Sequence, residues 1–313
     1  MWTLFPAVLM GWALGANDAA NVFGLAVSVR AVRYATAALL TAAAALVGAY
    51  LAGSPGMTTY SALAHHSLSS AFFAVLAAGL TVTLMTWRGL PVSTTQAIVG
   101  GIVGVSLVAG RSVDWSVLGR IALSWVSSPV GSLVLAFVLH RLVSPLVERR
   151  LGGLVWYDRL TRWGLVAIGV WGAYALGANN VANVTGVYAG TGLISFSAAA
   201  LLGGASIALG VLTYSRPVMV TVGEKLVALG TWPALLALAA QAAALQAFAL
   251  VGVPVSSSQA VVGAVVGIGL VKGVAAVNFR QLGLIALGWV LTPLVAGLVA
   301  AALWWAFARF LPS

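Results

Sequence analysis

The chain contains no cysteine, which excludes disulfides and thiolate metal sites. Acidic residues are almost as scarce: five Asp and Glu stand against 15 Lys and Arg in 313 residues, and charged residues make up only 6%. A soluble domain carries about a quarter, so an ordinary soluble fold is excluded. The formal charge of +10 would suggest nucleic-acid binding in a soluble protein. Here the basic residues stand singly between apolar runs and form no binding stripe, so a nucleic-acid partner is excluded too. Ten-residue segments of alternating polarity are missing, which argues against a β-barrel. No basic region precedes the first apolar stretch, so the first helix is expected to be retained rather than removed as a signal peptide.

What is present is hydrophobic length. Residues of apolar type make up 62% of the chain. The runs Ala35–Leu51, Ala71–Met85, Leu118–Leu139, Ala198–Leu212, Ala234–Val251 and Leu282–Phe307 reach or approach the roughly 20 residues of a spanning helix. The fold class is therefore an all-α integral membrane protein, with Trp12, Trp87, Trp156, Trp163, Trp304 and Trp305 suited to the interfacial belt.

Within this apolar chain one polar cluster occurs twice. Gly15-Ala16-Asn17-Asp18-Ala19-Ala20-Asn21 returns as Gly177-Ala178-Asn179-Asn180-Val181-Ala182-Asn183. An ionised Asp costs about 2.5–3.5 kcal/mol at a bilayer centre, so a buried polar site must offset it. A second motif, Pro91-Val92-Ser93-Thr94-Thr95-Gln96-Ala97, returns as Pro254-Val255-Ser256-Ser257-Ser258-Gln259-Ala260. A third, Ile121–Val126 with Ser128-Pro129, returns as Ile285–Val290 with Thr292-Pro293. The offsets of 162, 163 and 164 residues divide the chain into a first repeat, 1–145, a charged linker, 146–162, and a second repeat, 163–313.

The positive-inside rule assigns the Arg-rich linker to the cytoplasm. Five segments per half then place Arg30, Arg33 and Arg88 inside in the first half. In the second half the basic loops fall at Arg216 with Lys225 and at Lys272 with Arg280, one loop out of step. All but Arg111, Arg120 and Arg309 of the 15 basic residues lie inside if the halves are inverted. The expectation is an inverted-topology repeat of about ten segments in the cell membrane, both termini outside, with broken or re-entrant helices at the motifs. Such repeats mark many secondary transporters, with substrate bound near the midplane between the halves.

Gly15 and Gly177 are placed where a helix would break. Asn17 and Asn21 share a helix face, as do Asn179 and Asn183, while Asp18 lies about 100° round from Asn17. Pro91 and Pro254 suit helix starts, and Ser93, Thr94 and Thr95, with Ser256, Ser257 and Ser258, follow near the new N-termini. Exposed N–H groups and the dipole there can hold phosphate, sulfate or carboxylate without Lys or Arg. Asp18, the amide carbonyls and the hydroxyls are oxygen ligands of the kind an alkali cation takes, and Asp18 could equally carry a proton. Lone Asn residues in membrane helices serve as helix–helix glue, and serines after proline as simple caps. The duplicated clustering favours a site over both. Gln96 and Gln259 are candidate lining residues. Glu224-Lys225 reads as an interfacial ion pair. Glycines at 100, 101, 104, 263 and 267 are expected to permit close helix packing. No nucleophile–base pair or metal-ligand spacing supports an enzyme.

The paired motifs Gly15–Asn21 with Pro91–Gly100, and Gly177–Asn183 with Pro254–Gly263, resemble those of the inorganic phosphate transporter (PiT) family over nearly the whole chain. The resemblance implies a Na⁺- or H⁺-coupled importer of inorganic phosphate and a homodimer. It places Asn17, Asp18, Asn21, Asn179 and Asn183 around substrate and Na⁺, with Ser93, Thr94, Thr95, Ser256, Ser257 and Ser258 supplying hydroxyl and backbone contacts. Three positions depart from the family pattern: Asn180 stands where Asp is usual, and Gln96 and Gln259 where His is usual. Asn180 removes a charge and should weaken a cation site or remove one coupled cation. Neutral Gln96 and Gln259 leave Asp18 as the main candidate for any proton coupling. Sulfate permeases share the family, so sulfate is the alternative substrate. A passive anion channel is the alternative of another class.

Overall fold

In a computed structural model the described residues are 2–64, 66–88, 92–150, 154–219, 229–273, 277 and 279–310. Pro91 and the Glu224-Lys225 pair lie outside them. A 3-10 turn at Trp2–Leu4 leads into α1 (Phe5–Ser28), α2 (Tyr34–Ala52), α3 (Ser54–Leu63), α4 (Leu68–Trp87), α5 (Thr94–Val108) and α6 (Trp115–Arg150). The second set is α7 (Leu154–Gly190), α8 (Phe196–Tyr214), α9 (Thr231–Leu250), α10 (Ser257–Lys272) and α11 (Phe279–Phe310). No β-strand occurs among the described residues.

Seven of these helices are long and apolar enough to cross a membrane: α2, α4, α6, α7, α8, α9 and α11. All six apolar runs of the sequence fall on members of this set, and α7 is the addition. At 15 and 16 residues, α5 and α10 are about 22–24 Å long and fall short of the roughly 30 Å hydrocarbon core. They begin inside the protein, each after a proline-containing connector and a serine cap. Ser93 accepts from the Gln96 N–H at 3.2 Å, and Ser256 from the Gln259 N–H at 3.2 Å.

The expected break at the first motif does not occur. α1 runs unbroken through Gly15 to Asn21, and α7 through Gly177 to Asn183. The glycines serve helix packing instead. A Cβ on Gly15 would strike the carbonyl oxygen of Ile207 in α8, and a Cβ on Gly177 that of Ala45 in α2. The reverse contacts are also present: Gly210 lies against the Trp12 carbonyl and Gly48 against the Tyr174 carbonyl. An intact helical ladder and a backbone-close neighbour are both satisfied by glycine, so a break is not needed to explain it. It is at the second motif that the described chain is non-helical, over 92–93 and 253–256.

The glycines expected to pack closely do so. Gly100 and Gly104 lie against the carbonyls of Pro293 and Gly297 in α11, and Gly263 and Gly267 against those of Pro129 and Leu133 in α6. The short helix of each half thus packs on the long last helix of the other. α6 and α11 carry Pro129 and Pro293 without ending. Their outer faces display Leu123, Val126, Val130, Leu287, Val290 and Leu294 as exposed residues, suited to an apolar surrounding. Most of 146–162 is helical, forming the end of α6 and the start of α7.

Candidate functional site

The polar side chains of the first two motifs lie inside the helix assembly. Asn17, Asp18, Asn21, Asn179, Asn180 and Asn183 are buried, as are Ser93, Thr94, Thr95, Gln96 and their counterparts Ser256, Ser257, Ser258 and Gln259. Burial of this many polar groups requires internal hydrogen bonds, and the structure supplies a connected set.

Asp18 is its centre. Oδ2 accepts from the Thr94 hydroxyl at 2.8 Å and from Asn180 Nδ2 at 3.1 Å, and Oδ1 accepts from Asn21 Nδ2 at 3.2 Å. Asn21 Nδ2 also donates to Ser257 Oγ at 3.0 Å, and the Ser257 hydroxyl is directed at the carboxylate. Thr94 and Ser257 are the first residues of α5 and α10. One carboxylate is therefore held by the opening residues of two helices, where N–H groups and dipoles favour negative charge.

The second copy is arranged differently. Asn180 Oδ1 accepts from Asn179 at 2.7 Å and from Asn183 at 3.3 Å. Asn183 Nδ2 donates to Thr95 Oγ1 at 3.1 Å, and the Thr95 hydroxyl donates to the Val255 carbonyl at 2.9 Å. Ser256 and Ser258 share a hydrogen bond of 3.0 Å.

Asn17 and Asn179 have a job that the motif alone did not disclose: they hold the connectors. Asn17 Oδ1 accepts from the Val92 N–H at 3.2 Å while its Nδ2 donates to Thr86. Asn179 Oδ1 accepts from the Val255 N–H at 3.2 Å while its Nδ2 donates to the Val255 carbonyl at 2.9 Å. The pairs facing the centre are thus Asp18 with Asn21 and Asn180 with Asn183. Each first-motif Asn fixes the peptide just after its own half's proline, and so aims the N-terminus that follows.

Asn21 Oδ1, Gln96 Oε1 and Gln259 Oε1 are buried with no hydrogen-bond partner among the described residues. Asn21, bonded to the Asp18 carboxylate, presents an oxygen that suits a hard cation. Among the described residues no three His, Cys, Asp or Glu are grouped, so a cation here would take mainly neutral oxygens. Three participants were missed in the sequence. Tyr60 donates to Asn183 Oδ1 at 2.7 Å, Thr86 receives Asn17, and Ser124 donates to the Pro254 carbonyl at 3.1 Å. Ser124 lies within the repeated third motif, a signal that was available. Tyr60 and Thr86 lie outside the duplicated motifs.

Similarity to known proteins extends over nearly the whole chain. Over 96% of its length the chain is 30% identical to a candidate phosphate permease of Thermococcus kodakarensis, covering 96% of that protein. It is 24% identical over 99% of its length to the chloroplast inorganic phosphate transporter 2-1 of Arabidopsis thaliana, of which it covers 72%. A solved structure described as the sodium-dependent phosphate transporter superposes with a TM-score of 0.86 at 26% identity, covering 99% of this chain and all of that one. The model of the phosphate transporter family matches residues 14–300, which takes in both copies of each motif. With duplicated polar motifs buried at the junction of the halves and the whole-chain fold in common, this multi-pass membrane protein belongs to the phosphate transporter family.

Proposed function

We propose that the chain imports inorganic phosphate by symport with Na⁺, alternating access around the Asp18 site between two inverted halves. The observation that carries this reading is the meeting of two short-helix N-termini on one buried carboxylate joined to its counterpart position in the other half. A helix start can bind a tetrahedral oxyanion through N–H groups and hydroxyls, here those of Thr94, Thr95, Ser257 and Ser258. Ser93 and Ser256 cap those helices and hold the N-termini open for that role. Asp18 and the open Asn21 oxygen would take the cation, whose charge offsets that of the anion. Asn17, Asn179 and Asn183 border the same space, with their carbonyl oxygens engaged by Val92, Val255 and Tyr60.

Phosphate is favoured over sulfate by one feature. A phosphate that keeps a proton at neutral pH can donate to Asp18, whereas fully deprotonated sulfate meets that carboxylate with acceptors alone. The inverted arrangement draws support from the exchange of packing partners, α5 with α11 and α10 with α6, and from the sidedness of the basic loops. Membership of the family carries with it the reading of a homodimer in the cytoplasmic membrane, with 146–162 inside.

The test is counterflow and uptake of labelled phosphate in proteoliposomes, with and without an inward Na⁺ gradient. Accumulation above equilibrium with Na⁺ is expected, with excess sulfate competing weakly. Equilibration without accumulation would indicate a passive channel, and no uptake under a Na⁺ or H⁺ gradient would overturn the transport reading.

A further inference from the structure

The two Asn residues that close the first motifs, Asn21 and Asn183, occupy equivalent positions 162 residues apart, yet their carbonyl oxygens differ. Asn21 Oδ1 is buried with no hydrogen-bond partner among the described residues. Asn183 Oδ1 accepts from the Tyr60 hydroxyl at 2.7 Å. Tyr60 belongs to α3 and is fully buried, and the sequence after Tyr214 contains no tyrosine, so among the described residues Asn21 Oδ1 has no counterpart of this cap.

The orientation of the Asn183 amide is determined by its neighbours. Thr95 spends its hydroxyl proton on the Val255 carbonyl, so its oxygen is left to accept. Asn180 Oδ1 also accepts from Asn183 Nδ2. Reversing the amide would set its oxygen against two acceptors, so the carbonyl must face Tyr60. We propose that Tyr60 is a positioning residue that withholds the Asn183 oxygen from cation coordination, confining cation loading to the half that holds Asp18 and Asn21.

Two independent differences then point the same way. At the second motif position Asp18 supplies a charge and Asn180 does not. At the fifth, Asn21 offers an open oxygen and Asn183 a capped one. A carboxylate restored at position 180 alone would still lack the neighbouring oxygen, and removing the tyrosine hydroxyl alone would expose an oxygen without a charge beside it. Both changes together are needed to recreate the first half's ligand pair in the second. This inference rests on the cation-coupled transport reading above.

The experiment is a set of Na⁺ activation curves for labelled phosphate uptake in proteoliposomes, comparing wild type, Tyr60→Phe, Asn180→Asp and the double variant. Phenylalanine keeps the ring and removes only the hydroxyl. Wild type and both single variants should show a Hill coefficient near one. The double variant should move toward two, with half-saturating Na⁺ roughly three- to tenfold below that of Asn180→Asp, the range expected for freeing one hydrogen-bonded oxygen. Should phenylalanine not be tolerated, Tyr60→Met, which also lacks a donor, carries the same expectation. Superimposable curves for Asn180→Asp and the double variant, with wild-type uptake intact, would overturn the role of Tyr60 alone. So would a coefficient of two in wild type or in Asn180→Asp. Absence of Na⁺-dependent uptake in wild type would overturn the coupling reading and this inference with it.

Discussion

Asn180 donates its amide to the carboxylate of Asp18 at 3.1 Å, joining the same motif position of the two halves across 162 residues of sequence. The position carries a charge on one side and a neutral donor on the other. A second carboxylate at this distance would repel the first, so the substitution lets the pair form a hydrogen bond with no ion between them.

Asp18→Asn is therefore expected to retain the fold while losing coupling. The new amide can still accept from Thr94, but the one negative charge is gone. Gradient-driven phosphate accumulation in proteoliposomes should fall at least tenfold, with the yield of folded protein after size-exclusion chromatography within about twofold of wild type. Undiminished accumulation would remove Asp18 from the coupling role.

Removing a connector clamp should weaken the structure as well as transport. Asn17→Leu and Asn179→Leu each leave the N–H of Val92 or Val255 buried without its acceptor, at a cost of about 1–3 kcal/mol. Thermal unfolding in detergent should show a lower midpoint for both. A midpoint equal to wild type would mean that the clamps contribute nothing.

The glycine contacts separate two classes of position. Gly15→Ala or Gly177→Ala drives a methyl group into a neighbouring helix carbonyl, so little folded protein should reach the membrane. Gly119→Ala in α6 meets nothing within 4 Å and should be neutral or stabilising by up to about 1 kcal/mol through helix propensity. Membrane-fraction yield and melting of the two sets provide the comparison, and equal behaviour would contradict the packing argument.

A chain without cysteine allows topology to be read against no background. With Arg111→Cys, an impermeant maleimide should label intact cells. With Arg159→Cys it should label only after permeabilisation. Labelling of both from the same side would rule out the orientation drawn from the basic loops.

Much of the fold was legible because apolar length and repetition are properties of the chain itself. The six long runs and the offset of the motifs needed no tertiary information. α7 did not stand out as an apolar run, because Asn179, Asn180 and Asn183 interrupt its hydrophobicity while being buried by other helices. Gly15 was misjudged for a related reason: a sequence shows a missing side chain but not the Ile207 carbonyl that requires the absence. In the candidate site, Asp18, Thr94 and Ser257 could be anticipated from motif chemistry. Tyr60 could not, since α3 is a ten-residue helix with no repeat signal, and its hydroxyl matters only because α7 passes beside it.

The glycine-to-carbonyl contacts have a mechanical consequence. α1 with α8, α2 with α7, α5 with α11 and α6 with α10 touch main chain to main chain, so these pairs resist sliding. The bonds running from α1 and α7 to α5 and α10 are of another kind: Asp18 to Thr94, Asn21 to Ser257 and Asn183 to Thr95 are side-chain links that a ligand bearing several oxygens can replace. On the proposed reading an arriving oxyanion would compete with the protein for its own fastenings, so that filling the centre and loosening the joint between the pairs would be a single event.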